Sequence, residues 1–235
     1  QEFDDLTRKA QEMGATTKFT ATESAEAFNY MAMAGWKPQQ MIDGISGIMS
    51  LAAASGEDLG TTSDIVTDAL TAFGLQAGDA GHFADVLAQA SANANTNVSM
   101  LGESFKYVAP VAGAMNYSVE DTSLALGLMA NASIKGSMAG TALKTSLANM
   151  AAPTDSMAAA MDKYGISLTD SEGNMKSLRG VIDNLRGSLG GLSETEQTAA
   201  ASTIFGKEAM AGMLAIINAS EEDYNKLSTA IGNSK

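Results

Sequence analysis

The 235-residue chain carries 27 Asp plus Glu against 14 Lys plus Arg, a net charge of −13, with no Cys, one His, one Trp and three Pro. Without Cys there are no thiol nucleophiles, disulfides or thiolate metal sites, and a lone His82 leaves no second imidazole for a zinc site. Apolar residues reach 45% but aromatics only 6%, so the hydrophobic inventory is Ala, Leu, Met and Ile, which builds helices rather than sheets and excludes disorder by composition.

In chain order, apolar residues recur at helical spacing: Ile42, Ile45 and Met49; Ile65, Ala69 and Phe73; Phe83, Val86, Leu87 and Ala90; Leu143, Leu147 and Met150; Leu178, Val181, Ile182, Leu185 and Leu189. Gly35, Gly56, Gly74, Gly136, Gly165 and Gly206 mark their limits, and Thr20 with Glu23 and Ser193 with Glu196 spell capping boxes. The pattern predicts an all-α bundle of short Gly-punctuated helices. Between 165 and 175 the periodicity changes: Ile166 and Leu168 alternate with polar residues ahead of Gly173-Asn174, which predicts a short β-hairpin-like turn.

Shifted by 77 to 80 positions the chain matches itself. Thr22, Glu26, Phe28 and Tyr30 fall on Ser99, Glu103, Phe105 and Tyr107, and Gly47, Met49, Gly56, Gly60 and Thr61 on Gly127, Met129, Gly136, Gly140 and Thr141. This predicts a duplicated three-helix unit, with repeats at about 20–75 and 97–152 inside a helical region 1–152, followed by a C-terminal helical region 153–235. The chain opens on Gln1 rather than Met and reads as a fragment of something longer. No apolar run approaches the ~18–20 residues of a spanning helix, and no signal peptide is read at the start.

No residue emerges as catalytic, cofactor-binding or metal-ligating. His82 between Asp79 and Asp85 lacks a further ligand and reads as an exposed helix start. Asp170 to Asn174 has its Gly at the fourth position, where a calcium loop requires the sixth, and reads as a β-turn. The pairs Gly56/Gly60 and Gly136/Gly140 read as helix breaks with some close packing. Trp36 reads as a plug at a core edge, and Met31, Met33, Met41 and Met49 as adaptable core. Between Lys37 and Lys106 lie 68 residues without Lys or Arg but with Asp43, Glu57, Asp58, Asp64, Asp68, Asp79, Asp85 and Glu103, a surface that repels phosphates, so direct nucleic-acid binding is not expected.

Five segments together, in this order and spacing, resemble the core region of phage tail tape measure proteins of the minor-tail, lactococcal-phage type. They are FNYMAMAGW (28–36), MSLAAASGEDLGTTSDIVTDALTAFGL (49–75), GTALKTSLANM (140–150), YGISLTDSEGNMKSL (164–178) and IFGKEAMAGMLAII (204–217). The resemblance implies a non-enzymatic structural protein of a phage or prophage tail, involved in tail assembly, tail length determination and DNA ejection. It implies as partners the tail tube protein, tail assembly chaperones, tail tip proteins and further copies of itself, with host-membrane contact during ejection. It implies a place in the virion tail lumen, and in the host cytoplasm during assembly, with no cofactor. A ruler must be extended, whereas these helices break every 12 to 20 residues, so the segment itself is expected to be globular. Two alternatives stand beside this reading: a membrane-active helical protein forming part of a DNA-delivery pore, and a peptidoglycan enzyme, which the missing nucleophiles and ligands disfavour.

Overall fold

Five helices end alike. A residue with positive φ (Gly35, Gly74, Asn116, Ser133 or Gly165) is followed by an apolar residue (Trp36, Leu75, Tyr117, Ile134 or Ile166) whose N–H bonds the carbonyl five positions back at 2.8–3.1 Å. This Schellman closure satisfies the last carbonyls and turns the apolar residue back onto the helix just finished. All six glycines that mark helix limits in the sequence have positive φ, between 61° and 87°. Helix starts are fixed by side-chain caps. Thr20 and Glu23 form the full reciprocal box, and Asp58, Asn97, Ser118, Thr154, Ser177 and Ser220 cap other helices. At Ser193 the box is half-made: Ser193 accepts from the Glu196 N–H, but Glu196 accepts a hydrogen bond from the Tyr164 hydroxyl at 3.0 Å instead of reaching back.

The computed structural model describes residues 1–234, and among them there are thirteen α-helices: α1 Glu2–Thr16, α2 Ala21–Met33, α3 Pro38–Ser55, α4 Leu59–Ala72, α5 Ala80–Ala92, α6 Val98–Ala114, α7 Val119–Asn131, α8 Gly136–Ala151, α9 Asp155–Tyr164, α10 Leu178–Leu189, α11 Glu194–Phe205, α12 Met210–Ile217 and α13 Glu221–Gly232. The all-helical expectation holds. The first eight form two layers: α1, α3, α5 and α7 pack side by side in one, and α2, α4, α6 and α8 in the other. Each consecutive pair is an antiparallel hairpin that leans on its neighbours, the arrangement of stacked helical-hairpin arrays.

That layering corrects the expected duplicated three-helix unit. The helices of 20–75 and 97–152 do not close into two bundles: α3 packs mainly on α5 and α4 on α6, across the proposed boundary. The structural element is a two-helix hairpin, and the 77–80 offset spans two of them. The hairpin-like turn near 165–175 is corrected as well. Among the described residues there is no strand, and Thr169 and Met175 form an isolated antiparallel bridge. The ladder stops because Ser167 gives its N–H to Asn184 Oδ1 of α10 at 3.1 Å, while the Asp170 carboxylate takes the N–H groups of Glu172 and Asn174, both at 2.9 Å.

One hydrophobic cluster runs through the whole fold, and the apolar stripes seen in the sequence all reach it. Phe105 of α6 sits edge-on to Phe73 and to Phe83, each at 5.8 Å between ring centroids. The layers are tight because glycines lie at the crossings. A Cβ on Gly47 of α3 would stand 2.7 Å from the Gly81 nitrogen of α5, and one on Gly140 of α8 would overlap the Ser104 backbone of α6. After the stack, α9 packs on α11, α11 and α12 rest on α8, and α13 returns to lie across α5 and α7.

Candidate functional site

The residues singled out in the sequence do not converge. His82, at the start of α5, meets Glu120 at the start of α7. Asp79 accepts the Gln76 N–H at 2.8 Å in the turn before α5. Among the described residues no group of three or more His, Asp or Glu is placed to hold a metal ion. The Asp170–Asn174 loop is wound on its own Asp170 carboxylate, as a β-turn reading requires.

The packing residues sort cleanly. Gly56 and Gly136 are the positive-φ breaks, and Gly60 and Gly140 the close approaches, Gly60 lying under the Tyr30 ring. Trp36 is half-buried with its ring over Gly44, at the edge of the core. Met31, Met41 and Met49 are core, whereas Met33 is 75% exposed on the last turn of α2.

Two constellations carry interactions that the sequence did not announce. The first ties α13 down. Tyr224 donates to Asp183 of α10 at 2.6 Å, and the guanidiniums of Arg179 and Arg186 lie 5.5 and 4.7 Å from its ring. Arg186 also donates to the Ile216 and Ala219 carbonyls at the end of α12, both at 2.8 Å, where a cation suits the negative helix terminus. Burial, reinforced by the bond to Asp183, pushes the Tyr224 phenol above its usual pKa.

The second is a groove of about 450 Å³ between α4 and α6. Ile65, Ala69, Ala72, Phe105 and Ala109 make its apolar floor and wall, and Asp64, Asp68 and Glu103 stand on its rim beside Lys106. Burial, and then the neighbouring Asp64 charge, raise the Asp68 carboxyl above its usual pKa, while Lys106 works the other way. Elsewhere in the cation-free segment carboxylates bond locally: Asp43 accepts from the Gln39 amide at 2.8 Å, and Asp58 is held below the usual carboxylate range by hydrogen bonds from the Thr61 backbone and side chain. No described helix is long and apolar enough to cross a membrane.

Over 234 residues the chain is 40% identical to a protein of Pneumococcus phage Dp-1 called "Tape measure protein", covering 100% of this chain and 20% of that one. Over 228 residues it is 26% identical to the "Probable tape measure protein" of Escherichia phage P2, covering 96% of this chain and 28% of the relative. The chain therefore spans under a third of the length of either relative. No solved structure matches it. The model of the family described as phage-related minor tail protein matches residues 7–206, most of the two-layered stack and the helices α9 to α11 that follow it, and the chain belongs to that family.

Proposed function

We propose that the chain is a core segment of a tail tape measure protein, a structural component that takes part in tail assembly, in setting tail length and in DNA ejection. The observation that carries this reading is the 40% identity to the Dp-1 tape measure protein along the whole chain. In this reading the complete protein works with tail tube, assembly chaperone and tail tip proteins and with copies of itself. It assembles in the host cytoplasm, ends in the tail lumen, and contacts the host membrane during ejection. Residues 1–152 form the stacked region and 153–235 the region that closes it.

The segment itself is not the ruler. As one straight helix, 235 residues would reach about 350 Å at 1.5 Å per residue. Folded back into two layers, the chain is far shorter, so length-setting falls to other parts of the protein. No catalytic role is assigned to this segment: its placed polar side chains, such as Asn184, Gln197 and Arg186, bond backbone groups between helices. Nothing specific in the fold favours the pore reading, since the apolar helix faces are consumed in one core.

The test is genetic. In the phage that encodes this chain, deleting the hairpin α3–α4 in frame should abolish normal tails by disrupting the stack. Doubling a long helical stretch elsewhere in the same gene should lengthen tails in proportion to the residues added. Normal tails from the deletion, seen by electron microscopy, overturn the reading.

A further inference from the structure

The groove between α4 and α6 differs from two other cavities of the fold in what surrounds its apolar floor. The cavity of about 300 Å³ between α8 and α12 has a single charged residue, Glu208, in its lining, and the one of about 430 Å³ between α3 and α5 has none. The α4–α6 groove has three carboxylates against one ammonium. Among the described residues, Asp64, Asp68 and Glu103 are neither ion-paired nor hydrogen-bonded through their side chains, Lys106 included. Asp64 and Asp68 are also i, i+4 neighbours on α4, a spacing at which like charges destabilise a helix. The fold thus gathers three carboxylates at the mouth of the groove and sets only one ammonium, Lys106, against them.

The α6 wall carries a proline. Pro110 stands inside α6 and has no N–H, so the regular helix ladder leaves the Lys106 carbonyl, four residues back, without its donor. Lys106 and Pro110 both line the groove. Ile65 of α4 lies over Gly102 of α6, and Ile65, Ala72 and Pro110 are the apolar lining residues that remain accessible.

We propose that the α4–α6 groove docks an amphipathic helix bearing Lys or Arg, its apolar ridge over Ile65, Ala72 and Pro110 and its cations between Asp64, Asp68 and Glu103. The charge complementarity chooses the occupant: an anionic helix or a nucleic acid meets uncompensated carboxylates, and an uncharged helix leaves them unrelieved. Lys106, the one ammonium of the lining, repels a docked cation placed beside it. The inference goes beyond the tail reading and does not depend on it, since it rests on the groove alone.

Fluorescence anisotropy with the intact chain and a labelled helical peptide of Leu, Ala and Lys, its Lys spaced i, i+4, tests it. The same peptide with Glu in place of Lys is the control. Binding of the Lys peptide should weaken about tenfold or more in the triple variant Asp64→Asn/Asp68→Asn/Glu103→Gln. It should change by less than about twofold in Asp43→Asn/Glu172→Gln/Glu222→Gln, which removes the same charge elsewhere and so isolates general attraction to an acidic protein. Ser99→Trp fills the groove without touching its charge and should abolish binding, and Lys106→Ala should tighten it. Circular dichroism on each variant confirms that it remains folded, and any unfolded variant is replaced by its Gln or Phe counterpart at the same position. Equal losses in the two triple variants, unimpaired binding in folded Ser99→Trp, or equal binding of the Glu peptide each overturn the proposal.

Discussion

The Tyr224 hydroxyl reaches Asp183 across α13 and α10 at 2.6 Å, 41 residues away in sequence, and is the polar bond that fixes α13 over the stack. Leu227, three residues further along α13, meets α7 where Gly127 leaves room for it. Tyr224→Phe keeps the ring beside the two guanidiniums and removes only the bond. Because Asp183 is exposed and can be solvated, the expected cost is about 1 kcal/mol, read as a lower denaturant midpoint with an unchanged slope.

Tyr117 offers the opposite case. Its hydroxyl is buried without a hydrogen-bond partner among the described residues, and burial pushes its pKa up to about 12. The folded protein keeps the phenol proton to about pH 12, whereas an unfolded chain releases it near 10. Stability is therefore intact below pH 10 and falls as pH rises from 10 toward 12, with Tyr224 adding in the same direction. Tyr117→Phe should flatten much of that alkaline slope. It should also raise stability at neutral pH by about 1 kcal/mol, because it removes an unpaired buried hydroxyl. Thermal unfolding followed from pH 8 to 12 reads both effects.

Two of the five Schellman closures use a residue other than glycine, Asn116 at φ 58° and Ser133 at φ 67°. An L-residue pays sterically for that conformation, Ser more than Asn. Ser133→Gly is expected to stabilise by about 0.5–1 kcal/mol and Asn116→Gly by less, the gain being reduced by the greater freedom of glycine in the unfolded chain. A midpoint lower than the parent's for Ser133→Gly contradicts this account of the turn.

Glycines inside helices should divide by what stands beside them. Gly140→Ala drives a methyl into the Ser104 backbone at the α6–α8 crossing and should cost about 1–3 kcal/mol or more. Gly187, inside α10, has open space where a Cβ would go, so Gly187→Ala should add up to about 1 kcal/mol through helix propensity. Equal effects from the two substitutions would show that the crossing is looser than described.

What the sequence disclosed is what neighbours in the chain decide. The stripe from Leu178 to Leu189 is buried at all five positions because helical periodicity places them on one face. The six punctuating glycines were legible because only glycine enters positive φ freely, and the closures at Asn116 and Ser133 were missed because those side chains carry a weaker signal for the same conformation. Gly173-Asn174 was correctly read as a turn, but the strands expected around it depended on Asn184, which takes the Ser167 N–H and is 17 residues away. The repeat failed differently: residues matched at an offset of two hairpins, and sequence matching does not reveal which helix leans on which. The α4–α6 groove and the His82–Glu120 contact each join residues more than 30 positions apart, and no local pattern marks such a pairing.

The two-layered stack also dictates how the chain yields to a pull. Each of the first hairpins touches mainly its neighbours, so tension on the N-terminal end meets α1 and α2 first, then α3 and α4, rather than the whole core at once. Each hairpin of some 40 residues that peels away frees about 130–140 Å of extended chain. The peeling meets its first obstacle at α5, where α13 lies across α5 and α7 and the Tyr224–Asp183 bond fastens it. Force applied from that end is thus absorbed in steps, with a stop built in halfway, whereas a single closed bundle would give way in one event.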